Sequence, residues 1–245
     1  MLSECEAKPP SGAVPSTQYL REALGLEYAI VGFYDLDSIE GIPGVIEKRG
    51  CMFAGFEHWQ QGEYVHRCRA RPGCPGSAYW LFGAPVMPED AFLDFLVETE
   101  SLKPNRATMR QFLDAQPTYE LTGRHLLIGP LADALHERLQ AVTIFCNPDQ
   151  LSGLLGVVFF LNTAESPVSF LPSYGPGCLQ LAGIFPDLKT QSAVISATDI
   201  AMRVHLPANL LALTVTVPLF ERLCSLAQNG PLENPFWKRL RHKRS

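Results

Sequence analysis

The sequence predicts an α/β or α+β fold, with a mixed central sheet and flanking helices in a single compact domain. Three observations predict it. β-prone apolar runs alternate with helix-like segments along the chain, without a fixed repeat, as they do where helices pack on a sheet. Hydrophobic residues make up 47% and charged residues 18%, which supplies a core and excludes a disordered chain. At 245 residues the chain sits at the upper end of one domain and needs no disulfides for stability.

Residues 1–16, with Pro9, Pro10, Gly12 and Pro15, read as a flexible N-terminal tail ahead of a globular domain spanning 17–230. Thr17 to Leu24 is a short amphipathic helix, because Tyr19, Leu20, Ala23 and Leu24 share one face, and Gly25 stops it. Tyr28 to Tyr34 (YAIVGFY) is a buried strand. Asp35, Asp37, Glu40, Gly41 and Gly44 follow as an acidic loop. Cys51 to Gln61 is helix-like and ends at Gly62, and Glu63 to Arg67 is a short strand. Arg69 to Gly76 must turn, since it holds Pro72, Gly73, Pro75 and Gly76. Ser77 to Gly83 opens a helix with Ser77 as its cap. Pro88 to Glu98 is a helix with acids in its first turn, where the helix dipole favours them, and Asn105 to Ala115 is another.

The second half alternates more clearly. Ala141 to Cys146 is a strand. A helix then runs from Asn147-Pro148 to about Leu161, with Asn147 capping it and Gln150 at the capping-box position. Val168 to Leu171 and Ser192 to Ser196 are strand-like, and Gly175 to Cys178 is a turn leading into an apolar helix, Leu179 to Phe185. Leu210 to Val217 is a strand that shares the central sheet with Ala141 to Cys146, and Pro218 to Ala227 is a closing helix. Residues 231–245 read as a basic C-terminal tail, exposed from Trp237 onward and either helical or disordered.

Charge narrows the partners. The net charge is −5, yet the stretch from Lys238 to Ser245 holds five Lys or Arg and no acid. The rest of the chain is therefore strongly acidic, which does not suit a nucleic-acid binder. Met1 to Gly12 has no apolar segment of the secretory type, and the longest apolar run, Leu151 to Leu161, is too short to span a membrane. The chain is read as cytoplasmic, with its seven cysteines reduced, no nucleic-acid or membrane partner, and a small-molecule ligand or cofactor as the expected one.

The cysteines carry the functional reading. Cys5 lies in the tail, Cys224 inside the last apolar helix, and Cys146 at a strand end. Cys51, Cys68, Cys74 and Cys178 differ, because each stands at a chain bend beside glycine, proline or a turn. A helix N-terminus stabilises a thiolate, and thiolates so placed suit a metal ion or an iron–sulfur cluster. Cys51, Cys74 and Cys178 are expected to converge, with Cys68 as fourth ligand and His66 or Cys146 behind it; His58 also falls in this region. Gly76 and Gly177 let the backbone approach a ligand. Asp199 and Arg203, four apart in a helical segment, suit a structural ion pair and complete the candidate cofactor-binding set. Two further readings stay open: a metal-free pocket for a small molecule, and a thiol enzyme using Cys74 or Cys178 as nucleophile. No nucleophile elbow, phosphate-binding loop or dinucleotide fingerprint is present.

In order along the chain stand Cys51, the turn Cys74-Pro75-Gly76-Ser77-Ala78 leading to Phe82-Gly83, Phe145-Cys146-Asn147-Pro148-Asp149-Gln150, Gly175-Pro176-Gly177-Cys178, the Asp199 and Arg203 element, and the strand Leu210 to Val217 with Pro218 after it. This order resembles the ArCR family, domain of unknown function 169, from about Leu20 to Leu223. The resemblance implies no particular reaction. It implies a further cysteine just before Asp199, where this chain has Ala197 and Thr198. It also strengthens the expectation of an iron–sulfur cluster or metal ion.

Overall fold

The structure, a computed structural model, describes residues 16–116, 118–119, 121–185, 189–226 and 230–244. The expected N-terminal tail, with Cys5, lies outside the described residues apart from Ser16.

In chain order the first half contains α1 (Gln18–Leu24), β1 (Val31–Leu36), β2 (Val45–Glu47), a 3-10 turn at Met52–Gly55 running into α2 (Phe56–Gln60), and β3 (Tyr64–Cys68). Then come α3 (Pro75–Phe82), α4 (Glu89–Asp94) with a π-helical turn at Phe95–Thr99, and α5 (Arg106–Ala115). The second half contains β4 (His125–Pro130), β5 (Leu139–Cys146), α6 (Pro148–Leu161), β6 (Ser169–Phe170), α7 (Gly177–Ile184) and β7 (Ser192–Ser196). It closes with α8 (Ile200–Arg203), β8 (Leu211–Thr216), α9 (Val217–Ser225) and α10 (Pro235–Arg244).

Among the described residues the strands form one mixed sheet, ordered β2-β3-β4-β1-β5-β8-β7-β6. The inner pairs are antiparallel and the two edge pairs, β2 with β3 and β6 with β7, are parallel. β5 and β8 pair side by side as expected, Ala141 opposite Thr216 and Cys146 opposite Leu211.

Burial explains the layers. All eight residues of β5 are buried, so both faces of the sheet must be covered. Ala141 and Phe145 point into one apolar core, closed by α2, α3, α5 and α7 through Trp59, Trp80, Met109 and Leu181. Val142, Ile144 and Cys146 point into the other, closed by α1, α6, α9 and α10 through Leu20, Leu154, Phe220 and Trp237. Phe145 is the hub of the first core, stacked on Trp59 with ring centroids 6.1 Å apart and edge-on to Phe56 at 5.0 Å. Each such aromatic pair contributes about 0.5–1.5 kcal/mol beyond simple burial.

α6 begins with the expected reciprocal cap: Gln150 N–H donates to Asn147 Oδ1 at 2.9 Å and Asn147 N–H to Gln150 Oε1 at 2.8 Å. Four expectations need correction. The helix after the Arg69 to Gly76 turn starts one residue before Gly76, and its cap is Cys74 rather than Ser77. Pro75 sits at its first turn, where a missing N–H costs nothing. Asp35 belongs to β1, not to an acidic loop, and is 1% exposed. Its carboxylate accepts the N–H groups of Thr122 and Gly123, both at 2.8 Å, and the Thr122 hydroxyl at 2.6 Å, which offsets its burial. β4 was not expected, because a six-residue run ending in Gly-Pro carries no clear strand period, yet it pairs on both sides and its four central residues are buried.

The fourth correction concerns the C-terminus. α10 packs on the body: Trp237 is 8% exposed and its Nε1–H donates to Ala23 O at 3.0 Å. Arg241 Nη1 donates to Leu24 O at 2.9 Å, and Arg244 pairs with Asp149 at 2.7 Å. The basic run thus finds partners on the acidic body and at the C-terminal end of α1, where cations are favoured. Trp237→Ala should lower the unfolding free energy by about 3 kcal/mol, as expected for a buried large-to-small change, while the exposed Lys243→Ala should shift it by less than about 0.5 kcal/mol. Urea unfolding of the two variants checks this.

Candidate functional site

The site forms where three helical segments begin on the first face of the sheet. Cys51 immediately precedes the 3-10 turn at Met52–Gly55. Cys74 caps α3, and Cys178 lies in the first turn of α7. All three line one pocket of about 250 Å³, together with Gly76, Glu100 and His205. The pocket shares Glu100, Pro176, Asp199 and Ala201 with a larger groove of about 660 Å³ walled by Phe95, Leu102, Phe112 and Tyr174.

Cys74 is built to hold a negative charge. Ser77 N–H donates to its Sγ at 3.4 Å, the Ser77 hydroxyl lies 3.5 Å away, and Cys178 lines the same pocket. Ser77 is itself fixed, since its Oγ donates to Pro72 O at 2.6 Å and accepts from Cys74 N–H at 3.1 Å. The Cys178 thiol first, and then the Ser77 hydrogen bonds working against burial, bring the Cys74 thiol down from 9.0 to about 6. Cys178 moves the other way, well above 9.0, because it keeps its proton to donate to Cys74 and because it is buried. The two shifts describe one arrangement, a thiolate and a thiol sharing a proton. Burial pushes Cys51 up to about 11, so it stays neutral. Glu100 is raised to about 7, by burial first and then by the nearby charges of Asp199 and Cys74.

The glycines explain how Cys178 comes so close to the start of α3. A Cβ on Gly76 would lie 3.1 Å from Cys178 Sγ and 3.0 Å from the Trp80 ring. One on Gly177 would lie 2.9 Å from Met202 Sδ and 3.1 Å from the Phe53 ring. The space these glycines leave is taken by the protein's own side chains, which lets the first turns of α3 and α7 touch.

Asp199 and Arg203 do not pair with each other. α8 is a single turn with Asp199 as its cap, accepting from Ala201 N–H at 3.0 Å and from Gly177 N–H at 3.2 Å, so it ties α8 to α7. Arg203 donates to the carbonyls of Ala197, Pro207, Ala208 and Leu210, pinning the loop that follows. Cys68 does not line the thiol pocket. It ends β3, opposite His125 of β4 and bridged to Arg71, while the chain turns away before reaching Cys74. His66 is bonded to His125 at 2.9 Å, His58 to Glu63 at 2.6 Å, and Cys146 faces the opposite core. Ala197 and Thr198 add no sulfur; Thr198 Oγ1 donates to Ser173 O at 2.8 Å.

Glu100, His205 and Arg67 were not singled out from the sequence. Arg67 Nη2 donates to Cys51 O at 3.1 Å. Among the described residues no group of three or more His, Cys, Asp and Glu side chains stands ready to hold a metal ion. Among the same residues no helix is long and apolar enough to cross a membrane.

The family model described as uncharacterised ArCR, domain of unknown function 169, matches residues 19–225. No curated protein and no solved structure matches the chain.

Alkylation by iodoacetamide should pick out Cys74. A lowered pKa leaves the thiol protonated below about 6 and ionised above it, so its rate should rise through pH of about 6 and level off well below 9.0, with Cys51 and Cys178 slow throughout. Gly76→Ala, which crowds Cys178 Sγ, should move the Cys74 midpoint upward. Mass mapping of the alkylated cysteines at several pH values measures both.

Proposed function

The chain belongs to the ArCR family, and we propose that it carries out thiol–disulfide chemistry on a small molecule, with Cys74 as the attacking thiolate and Cys178 as the resolving thiol. The observation that carries this reading is that Cys74 and Cys178 stand on one pocket at the start of two helices that meet at Gly76. A thiolate with a pKa near neutrality is a good nucleophile in both respects that matter: it is ionised at pH 7 and still basic enough to attack.

The step balances as follows. Cys74 Sγ attacks one sulfur of a substrate disulfide, the substrate S–S bond breaks, and one substrate thiolate leaves. Cys178 then loses its proton and attacks Cys74 Sγ, releasing the second substrate thiolate and leaving a Cys74–Cys178 disulfide. Two electrons pass from the protein to the substrate, and an external dithiol returns them. Glu100, in the same pocket and titrating at about 7, takes the Cys178 proton. The groove walled by Phe95, Leu102, Phe112 and Tyr174 takes the organic part of the substrate.

A second reading, a metal ion or iron–sulfur cluster, is favoured by Cys51, a third sulfur on the same pocket that disulfide exchange does not use. Cys51, Cys74 and Cys178 would hold the group, and thiolate ligation of a redox-active metal is the chemistry it would supply.

Oxidised glutathione separates the readings. Wild-type protein should end with Cys74 joined to Cys178, Cys178→Ser should trap glutathione on Cys74, Cys74→Ser should trap none, and Cys51→Ser should behave as wild type. Equal labelling of the Cys178→Ser and Cys74→Ser proteins would sink the exchange reading. Visible absorbance after anaerobic iron and sulfide addition, lost in Cys51→Ser, would favour the cluster.

A further inference from the structure

A second pocket, of about 560 Å³, shares no lining residue with the thiol pocket or its groove. It lies against the other side of the segments that lead into Cys51 and Cys74. Lys48, Arg49, Arg67 and Arg71 line it with His66, against the single carboxylate of Glu47. This concentration of positive charge stands out on a chain whose net charge is −5.

The cations are not used up by the protein. Glu47 pairs with Arg71, which leaves no carboxylate in the pocket for the others. Lys48 and Arg49 are exposed, and no ion pair involves them among the described residues. Arg67 is 2% exposed, and its buried Nε–H has no hydrogen-bond partner although Nη2 is bonded to Cys51 O. A guanidinium stays charged inside a protein, and a buried donor left unmade costs about 1–3 kcal/mol. The backbone at Gly73 packs closely beside the Arg67 guanidinium. Gly73 has φ +105°, and a Cβ there would lie 2.7 Å from Gly50 O and 3.3–3.4 Å from Arg67 Cζ and Nε.

We infer that this pocket is an anion-binding site for the phosphate groups of a small phosphorylated molecule. Planar guanidinium forks match phosphate oxygens, and four cations facing one carboxylate exceed what a single carboxylate ligand would need. A concave site of this size on an otherwise acidic chain suits a small molecule rather than a nucleic-acid backbone. The inference is independent of the thiol chemistry, since it uses none of the cysteines.

Calorimetric titration of the full chain with pyrophosphate at low ionic strength tests it, with succinate as a dicarboxylate control. Saturable one-to-one binding of pyrophosphate is expected, tighter than that of succinate. The double variant Lys48→Ala/Arg49→Ala, which alters exposed and unpaired side chains, should bind at least about tenfold more weakly, the equivalent of one lost charged contact. Arg239→Ala/Lys243→Ala, on exposed positions of α10, should bind as wild type. Absence of saturable binding, equal affinity for succinate, or equal weakening in the two double variants would each overturn the assignment.

Discussion

A strand with no exposed residue is the constraint from which this molecule follows. β5 is buried at all eight positions, so each face of the sheet must meet its own helical layer. The chain meets that demand with two apolar cores that share only the sheet between them. One consequence is functional. The helices on the Phe145 face begin near one another, and α3 and α7 bring Cys74 and Cys178 to one pocket. On the other face α6 begins at Asn147 and uses ordinary polar caps, and burial pushes Cys146 beneath it up to about 12 against a backbone hydrogen bond at Leu213. A thiol at a buried strand end and one capping a helix are therefore pushed in opposite directions, and the donors within reach make the difference.

How much of this the sequence discloses varies with the range of the interaction. Local signals read well: Gly25 ends α1 in a left-handed conformation, and the Asn147 to Gln150 box opens α6. The mixed sheet was legible from alternation, and the ArCR family from the order of its motifs. The turn glycines and prolines marked Cys51, Cys74 and Cys178, because a chain bend ahead of an apolar run is a local pattern. Three other features depend on partners distant in sequence. Asp35 is buried because Thr122 and Gly123, more than eighty residues away, donate to it. β4 exists because β1 and β3 flank it. Cys68 looked equivalent to Cys74 by spacing, and only its pairing with β4 separates them.

Charge and burial act against each other throughout the thiol pocket. Burial raises a thiol first, as at Cys51 and Cys224, and nearby negative charges add to it. At Cys74 directed donors overcome the same penalty, and Cys178 is the largest of them. The neighbouring acids respond in the expected sense: a thiolate and Asp199 close by make it harder to ionise Glu100, which adds to the effect of its burial. A pocket with anions at Cys74 and Asp199 and a Glu100 carboxyl poised near neutrality is suited to moving protons between sulfur and carboxyl as thiols exchange. It is less suited to gathering three thiolates without a cation, because each further negative charge would meet those already present.

Arg67 is the element through which the two pockets can sense each other. It lines the basic pocket, donates to the carbonyl of Cys51, and feels the charges of Cys74 and Cys51, while burial works to lower its pKa. A buried guanidinium must share its charge with whatever anions lie nearest. Cys74 and Cys51 favour its charged form from one side, and an anion in the basic pocket would answer part of its field from the other. The connecting backbone is short, since Arg49 and Gly73 line one pocket while Cys51 and Cys74 line the other. Its packing is tight, for a single Cβ on Gly73 would collide with Gly50 O. Arg49 and Arg67 thus stand on the segments that carry Cys51 and Cys74, and Arg67 is the side chain that touches both.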